Sequence, residues 1–91
     1  MTTPLELPEK LDHAACAQLL KDIRARLDQP LVLDGCRVRG IGGLCAQVLL
    51  AAARAWAEEG HDFELRASEP MAADLERLGL DIEAAARGSA T

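Results

Sequence analysis

The segment LVLDGCRVRGIGGLCAQVLL, residues 31–50, decides the fold, because it predicts a strand, a short loop and a helix in immediate succession. The apolar run that ends at Asp34 is typical of a strand buried on both faces. Val38 and Ile41 are expected to anchor the loop as two apolar contacts. The helix that follows begins among glycines, so we expect its N-terminus to lie exposed at the edge of a sheet.

Strands and helices alternate on both sides of this segment. Asp12 and Ser68 are expected to cap helices with their side-chain oxygens, and Gly60 and Gly79 to end the second and third helices. The predicted elements are an edge strand at residues 5–7, a helix between Asp12 and Pro30, the strand at 31–34, a helix at Gly43–Glu59, a strand at Phe63–Ala67, a helix between Ser68 and Gly79, and a last helical turn or two at 82–87. Helices that join successive strands imply crossover connections, so we expect an α/β fold with a small, mainly parallel sheet.

Apolar residues recur at three- and four-residue spacing along each predicted helix, which is typical of a face turned to the core. The expected inward stripes are Cys16, Leu19, Leu20, Ile23 and Leu27 in the first helix, Leu44, Val48, Leu49, Ala52 and Trp56 in the second, and Met71, Leu75 and Leu78 in the third. A chain of 91 residues has room for one core. We therefore expect a single domain over residues 1–91, with loose termini at 1–4 and 88–91.

The composition argues against several classes of partner. The net charge is −5 at pH 7, and Trp56 and Phe63 are the only aromatic residues, so neither nucleic acid nor an anionic membrane surface is an expected partner. No window approaches the roughly 20 apolar residues of a membrane span, and residues 1–5 lack the features of a secretory signal. Three cysteines without a Cys-x-x-Cys pair fit free thiols in a reducing compartment. We expect a cytoplasmic protein without membrane insertion.

The motif that starts at Asp34 resembles the central motif of STAS domains, the anti-sigma-factor-antagonist family. This chain has Asp-x-Cys-x-Val-x-x-Ile-Gly-Gly, where the family usually has Asp-x-Ser-x-Val-x-x-Ile-Asp-Ser/Thr-Ser/Ala-Gly-Leu. The resemblance extends from Leu5 to about Leu80, and it implies a STAS-like fold with the helices largely on one side of a small mixed sheet. The run Gly-Gly-x-Cys-x-Gln-Val-Leu is most similar to the small stand-alone STAS proteins of bacterial chemotaxis gene clusters.

Matched residue by residue, Cys36 stands at the family's first Ser, Gly42 at its second Asp, and Gly43 and Leu44 where the phosphorylatable hydroxyl would be. The hydroxyl side chains of the chain all lie away from this motif, and they belong to Thr2, Thr3, Ser68, Ser89 and Thr91. We interpret Ser68 as a helix cap rather than a phosphorylation site. Side-chain chemistry therefore excludes a phosphorylation cycle at the family's position.

The same stretch offers a candidate protein-binding surface. We expect glycines and one apolar side chain to form a flat patch that a partner can approach closely, surrounded by a rim of charged and polar side chains. The predicted partner-binding residues are Asp34, Arg37, Arg39, Gly42, Gly43, Leu44 and Gln47. The alternative for Arg37 and Arg39 is that they are solvated loop charges without a role in binding.

Three other chemistries have weaker support. The glycines at positions 40, 42 and 43 could cradle a phosphate, but neither nucleotide-binding glycine motif is present, so no cofactor is expected. Cys45 lies in the first turn of a helix, which favours a thiolate, yet no histidine is placed beside it, so we favour buried packing for Cys45 and also for Cys36. His13 and Cys16 have a spacing that could share a metal ion, but no second pair completes a zinc site, so no metal site is predicted.

These inferences predict a non-enzymatic, protein-binding regulatory module of bacterial signal transduction. The resemblance implies that its partner is another signalling protein, most simply a histidine kinase complex of the chemotaxis type. Three alternatives stay open. They are an anti-sigma-factor antagonist that binds an anti-sigma-type kinase, a STAS subunit of a lipid-transport ATPase complex, and an enzyme that uses Cys45.

Overall fold

The computed structural model describes residues 3–87, which form five strands and four α-helices. The strands are β1 at Leu5–Glu6, β2 at Lys10–Leu11, β3 at Leu31–Gly35, β4 at Gly40–Ile41 and β5 at Phe63–Ala67. The helices are α1 at His13–Arg24, α2 at Gly43–Glu59, α3 at Glu69–Arg77 and α4 at Ile82–Ala86. Loose ends were expected at residues 1–4 and 88–91, and of these residues 1–2 and 88–91 lie outside the described residues. The Thr3 carbonyl accepts a hydrogen bond from the Arg26 guanidinium.

Every strand pairing within residues 3–87 is parallel. β3 lies between β1 and β5 in a three-stranded sheet, and β2 pairs with β4 in a separate ladder. The expected α/β fold with a parallel sheet is confirmed. The expectation of one strand before the first helix is wrong, since β1 and β2 both precede α1. Two-residue ladders such as β2 and β4 carry too few side chains to show an alternating pattern, which is why the sequence did not predict them.

The register of the three-stranded sheet separates an apolar face from a polar face. Leu33 pairs with Leu5 and Leu65, and side chains paired in a parallel register lie on the same face. The side chains of the neighbouring residues in each strand point to the opposite face. Asp34 therefore lies beside Glu6 and Arg66 on the second face. The helices cover the apolar face, as expected. The expectation that β3 is buried on both faces is wrong.

The core is one cluster of buried side chains that joins the sheet to all four helices. Its largest fully buried members are Leu31, Leu33, Val38, Cys45, Leu49 and Met71. Four leucines of the predicted inward stripes are exposed instead, namely Leu20, Leu27, Leu44 and Leu78. Leu27 and Leu78 lie beyond the ends of their helices, since α1 ends at Arg24 and α3 ends at Arg77. In α2, Cys45 takes the inward position that Leu44 was expected to hold.

Helix caps form as the sequence predicts. The Asp12 carboxylate accepts a hydrogen bond from the Ala15 N–H, and the Ser68 hydroxyl accepts one from the Met71 N–H. Gly60 ends α2 in the left-handed region with a φ of 76°. None of the helices within residues 3–87 has both the length and the apolar composition that crossing a membrane requires.

Candidate functional site

The loop between β3 and α2 is held close to the sheet by backbone hydrogen bonds and two buried side chains. The Val38 N–H donates to the Gly35 carbonyl at 3.1 Å, and the Arg39 N–H donates to the Glu9 carbonyl at 2.9 Å. Val38 and Ile41 are both buried, which confirms them as the apolar anchors of the loop. The start of α2 is therefore fixed relative to the sheet.

Helix α3 supports this loop from a distant part of the chain. The Asp74 carboxylate accepts a hydrogen bond from the Ile41 N–H at 2.9 Å and also pairs with Arg77. Gly40 approaches Asp74 so closely that a Cβ at position 40 would lie 2.9 Å from the carboxylate oxygen. Sequence reasoning missed Asp74, because nothing local in α3 indicates a contact with a residue 33 positions away.

Removal of the Asp74 carboxylate is expected to destabilise the protein. Asp74→Ala leaves the Ile41 N–H without its acceptor, so we expect the free energy of unfolding to fall by about 1–3 kcal/mol. Asp74→Asn keeps an acceptor oxygen, and we expect less than half of that loss. Urea unfolding followed by circular dichroism measures both variants. If Asp74→Ala costs less than about 0.5 kcal/mol, the range of ordinary surface substitutions, then Asp74 does not hold the loop.

Helix α2 begins without a side-chain cap. Gly42 is the N-cap residue with a φ of −81°, and no side chain among residues 3–87 accepts a hydrogen bond from the first turn. The Ala46 N–H is the first in this helix to reach a backbone acceptor, the Gly42 carbonyl. The N–H groups of Gly43, Leu44 and Cys45 therefore have no backbone partner of this kind at the positive end of the helix dipole.

The backbone conformation and packing of the fold do not require glycine at positions 42 and 43. A Cβ added to Gly42 or Gly43 would have no neighbouring atom of residues 3–87 within 4 Å, and the φ of Gly42 is one that any residue adopts. Other residues would also form the helix more readily than glycine. The two glycines thus leave open space at the helix start, where a Cβ would be accommodated without a clash.

A cleft of about 320 Å³ lies between the starts of α1 and α2. One wall contains Asp12, His13 and Cys16, and the other contains Gly42, Gly43 and Leu44. Leu44 is 55% exposed although it is a large apolar side chain in a helix. The arrangement is a small concave surface with an apolar rim and free N–H groups, which suits contact with another protein.

The other predicted site residues have different surroundings. Arg37 and Arg39 both pair with Glu9, at 3.9 and 3.6 Å, and both side chains are mostly exposed. Gln47 is exposed one turn further along α2. Thus the structure brings Gly42, Gly43 and Leu44 together at the cleft. Arg37 and Arg39 lie in the preceding loop, where both pair with the Glu9 carboxylate.

Asp34 does not line the cleft. Its carboxylate accepts a hydrogen bond from the Cys36 N–H at 3.1 Å, and that bond is the main cause of a lowered pKa, to which the nearby Arg66 guanidinium also contributes. Asp34 therefore orders the turn that carries Arg37. Asp34 lies on the polar face of the sheet, beside Arg66. The spacing of residues in the sequence does not show on which face of the sheet Asp34 lies.

The two cysteines of the motif have opposite environments. Cys45 is buried, its thiol donates to the Leu11 carbonyl at 3.4 Å, and burial, together with a hydrogen bond to Cys16, raises its pKa to about 12. The expected burial of Cys45 is confirmed. The expectation of a buried Cys36 is wrong, because Cys36 follows the end of β3 in an exposed turn, where its hydrogen bond to Asp34 raises the pKa of the thiol.

Alkylation is expected to distinguish the three thiols. Iodoacetamide at neutral pH should modify Cys36 while Cys16 and Cys45 stay largely unmodified, because both are buried. At a pKa of about 12, Cys45 has about a thousandfold less thiolate than a thiol at 9.0. Mass spectrometry over a time course measures the three rates, with urea-unfolded protein as the control in which all three react. Rapid labelling of Cys45 in the folded chain would contradict this and favour a nucleophilic role.

The residues considered for metal binding do not assemble into a ligand set. His13 and Cys16 line the same cleft, and His61 lies just beyond the C-terminal end of α2. Within residues 3–87, no three His, Cys, Asp or Glu side chains are close enough to hold a metal ion.

Comparison with known proteins gives one match over nearly the whole chain. A family model with the description "Mlab, STAS domain" matches residues 2–84. No curated protein and no solved structure gives a significant match.

Proposed function

Because the chain belongs to the STAS domain family, we propose that it is a regulatory protein-binding module whose docking surface is the start of α2. STAS domains are in general protein-interaction modules rather than enzymes. The observation that carries the proposal is the open helix start, where no neighbouring atom of the described part of the chain lies within 4 Å of a Cβ at Gly42 or Gly43, and Leu44 is exposed beside the cleft. A partner can bring backbone acceptors to the free N–H groups and an apolar side chain to Leu44.

Binding at this surface does not depend on phosphorylation of the chain. Positions 43 and 44 have no hydroxyl, and no Ser, Thr or Tyr occurs between residues 4 and 67. The Ser68 hydroxyl is engaged in capping α3 and donates to the Val38 carbonyl. We therefore propose that docking is constitutive and that any regulation comes from the partner.

Arg37 and Arg39 form the polar rim of the proposed surface. Their pairs with Glu9 are exposed and long, and such pairs contribute only about 0–1 kcal/mol. A carboxylate of the partner can replace Glu9 with little loss of stability. In this proposal Gln47 adds a hydrogen-bonding group one turn away, and Asp34 acts indirectly by ordering the turn before Arg37.

The proposed partner is a signalling protein, and a histidine kinase complex of the chemotaxis type is the first candidate. The support is the similarity of the run from Gly42 to Leu49 to stand-alone STAS proteins of chemotaxis gene clusters. An anti-sigma-type kinase is the second candidate within signalling. The proposed setting is the bacterial cytoplasm.

Affinity capture from cells that express the tagged full chain tests the proposal. We expect a component of a signalling kinase complex to be captured, and we expect Leu44→Asp to lose it, because this change places a charge at the apolar rim. Capture of a transport ATPase, lost in the same variant, would reassign the partner but keep the docking surface. If everything captured by the natural chain is also captured by Leu44→Asp, the start of α2 is not the docking surface.

A further inference from the structure

A groove runs along the whole length of β5, on the side of that strand that faces α3 and α4. It consists of two adjoining cavities of about 450 and 120 Å³, which share Leu65, Ile82 and Glu83. The larger cavity also contains Ala67, and the smaller one Phe63, so both ends of the strand are included. The groove shares no lining residue with the cleft at the start of α2.

The strand beside this groove has a free hydrogen-bonding edge. Among residues 3–87, β5 pairs only with β3. The pairing begins with the Leu31 N–H donating to the Asp62 carbonyl and ends with the Ser68 N–H donating to the Gly35 carbonyl. The peptide groups of a strand alternate between its two edges. The even-numbered residues of β5 therefore bond to β3. The N–H and C=O groups of Phe63, Leu65 and Ala67 point away from β3. Within residues 3–87, no hydrogen bond outside the β3 pairing reaches them.

The charge around the groove is negative. The larger cavity is lined mainly by apolar residues together with Glu76, Asp81 and Glu83, and no Lys, Arg or His of residues 3–87 lines it. The smaller cavity is lined by Glu64 and Arg87 as well as Glu83, so acidic side chains outnumber basic ones in the groove as a whole. Arg77, the cation next to Glu76 in sequence, pairs with Asp74. Unpaired strand edges bind extended peptides, and side-chain pockets beside the edge select their sequence.

We propose that this groove binds an extended segment of a partner protein that carries apolar and cationic side chains and adds to β5 as a further strand. Its backbone would pair with Phe63, Leu65 and Ala67, its apolar side chains would fill the groove, and its Lys or Arg residues would face the three carboxylates. A second copy of the chain fits less well, because it would bring a net charge of −5 against an already acidic groove. This surface is additional to the one at the start of α2.

Hydrogen exchange of the full chain tests the free edge. We expect the amides of Leu65 and Ala67 to exchange faster than those of Glu64 and Arg66, which are bonded to β3. A hexapeptide of alternating Val and Lys, acetylated and amidated, should slow the exchange of Leu65 and Ala67. The same peptide with Glu in place of Lys should have no effect. Slow exchange of Leu65 and Ala67 in the free chain, or equal protection by both peptides, would overturn the proposal.

Two variants test the charge complementarity. Glu76→Lys combined with Glu83→Lys should weaken binding of the Val-Lys peptide by about tenfold or more. Glu58→Lys combined with Glu59→Lys, the same change in charge at exposed positions of α2 outside the groove, should leave the affinity unchanged. Equal affinity of all three proteins would overturn the proposed recognition. Protection of Leu65 that depends on protein concentration, without peptide, would assign the groove to a second copy and would overturn the partner segment.

Discussion

Gly43→Glu is expected to weaken binding of the captured partner by about a hundredfold or more while the chain stays folded. A Cβ at position 43 would have no atom of residues 3–87 within 4 Å beyond its own helix start, so the new side chain begins in open space. A bulky anion at this point occupies the space that a partner must enter and removes access to the free N–H groups. A hundredfold loss corresponds to about 2.7 kcal/mol of binding free energy.

The same variant should not be less stable than the natural chain. A carboxylate in the first turn of a helix is favoured by the helix dipole, so we expect the free energy of unfolding to rise by about 0.3–1 kcal/mol. Binding and stability therefore change in opposite directions, which a misfolded variant cannot imitate. Ala55→Glu, the same charge at an exposed position three turns along α2, is the matched control and should bind normally. Normal binding by Gly43→Glu would place the docking surface elsewhere.

Trp56→Ala is expected to lower the free energy of unfolding by about 3–5 kcal/mol, the usual range for truncation of a buried aromatic side chain. Trp56 is only 3% exposed, and its ring meets that of Phe63 edge to face at 6.4 Å between centroids. Its Nε1–H also donates to the Gln29 carbonyl at 2.7 Å, so the side chain fastens the end of α2 to the segment before β3. A small core filled mostly by Ala and Leu has no other aromatic ring in α2 to replace it.

Two further variants separate packing from hydrogen bonding at this position. Trp56→Phe keeps most of the packing and loses one hydrogen bond, so we expect it to cost clearly less than Trp56→Ala. Leu27→Ala truncates a side chain that is 56% exposed and should change stability by less than about 0.5 kcal/mol. Urea unfolding followed by circular dichroism measures all three. A similar loss for Trp56→Ala and Leu27→Ala would contradict the role of Trp56 in the core.

Much of the fold could be predicted, because the signals are local. The caps Asp12 and Ser68, the helix end at Gly60 and the anchors Val38 and Ile41 each depend on neighbouring residues, and the structure has them where expected. Exposure was harder to predict. Whether Leu44 or Cys45 turns inward depends on where α2 begins, and a shift of one residue rotates a side chain by about 100°.

The candidate site was predictable only in the part that is contiguous in sequence. The open start of α2 follows from Gly42 and Gly43, whereas its supports come from elsewhere in the chain. The Asp74 carboxylate accepts a hydrogen bond from the Ile41 N–H, and the Glu9 carboxylate pairs with Arg37 and Arg39. These contacts arise from the packing of α3 and of the β2–β4 ladder, which one sequence alone does not specify. The groove along β5 was missed for the same reason, since it forms where α3, α4 and an edge strand meet.

Amide hydrogen exchange of the natural chain, alone and bound to its captured partner, tests the docking surface most directly. The N–H groups of Gly43 and Leu44 lack a cap and belong to exposed residues, so they should exchange rapidly in the free chain and become strongly protected in the complex. Protection that appears elsewhere in the chain, while these two amides exchange as fast as before, would contradict docking at the start of α2.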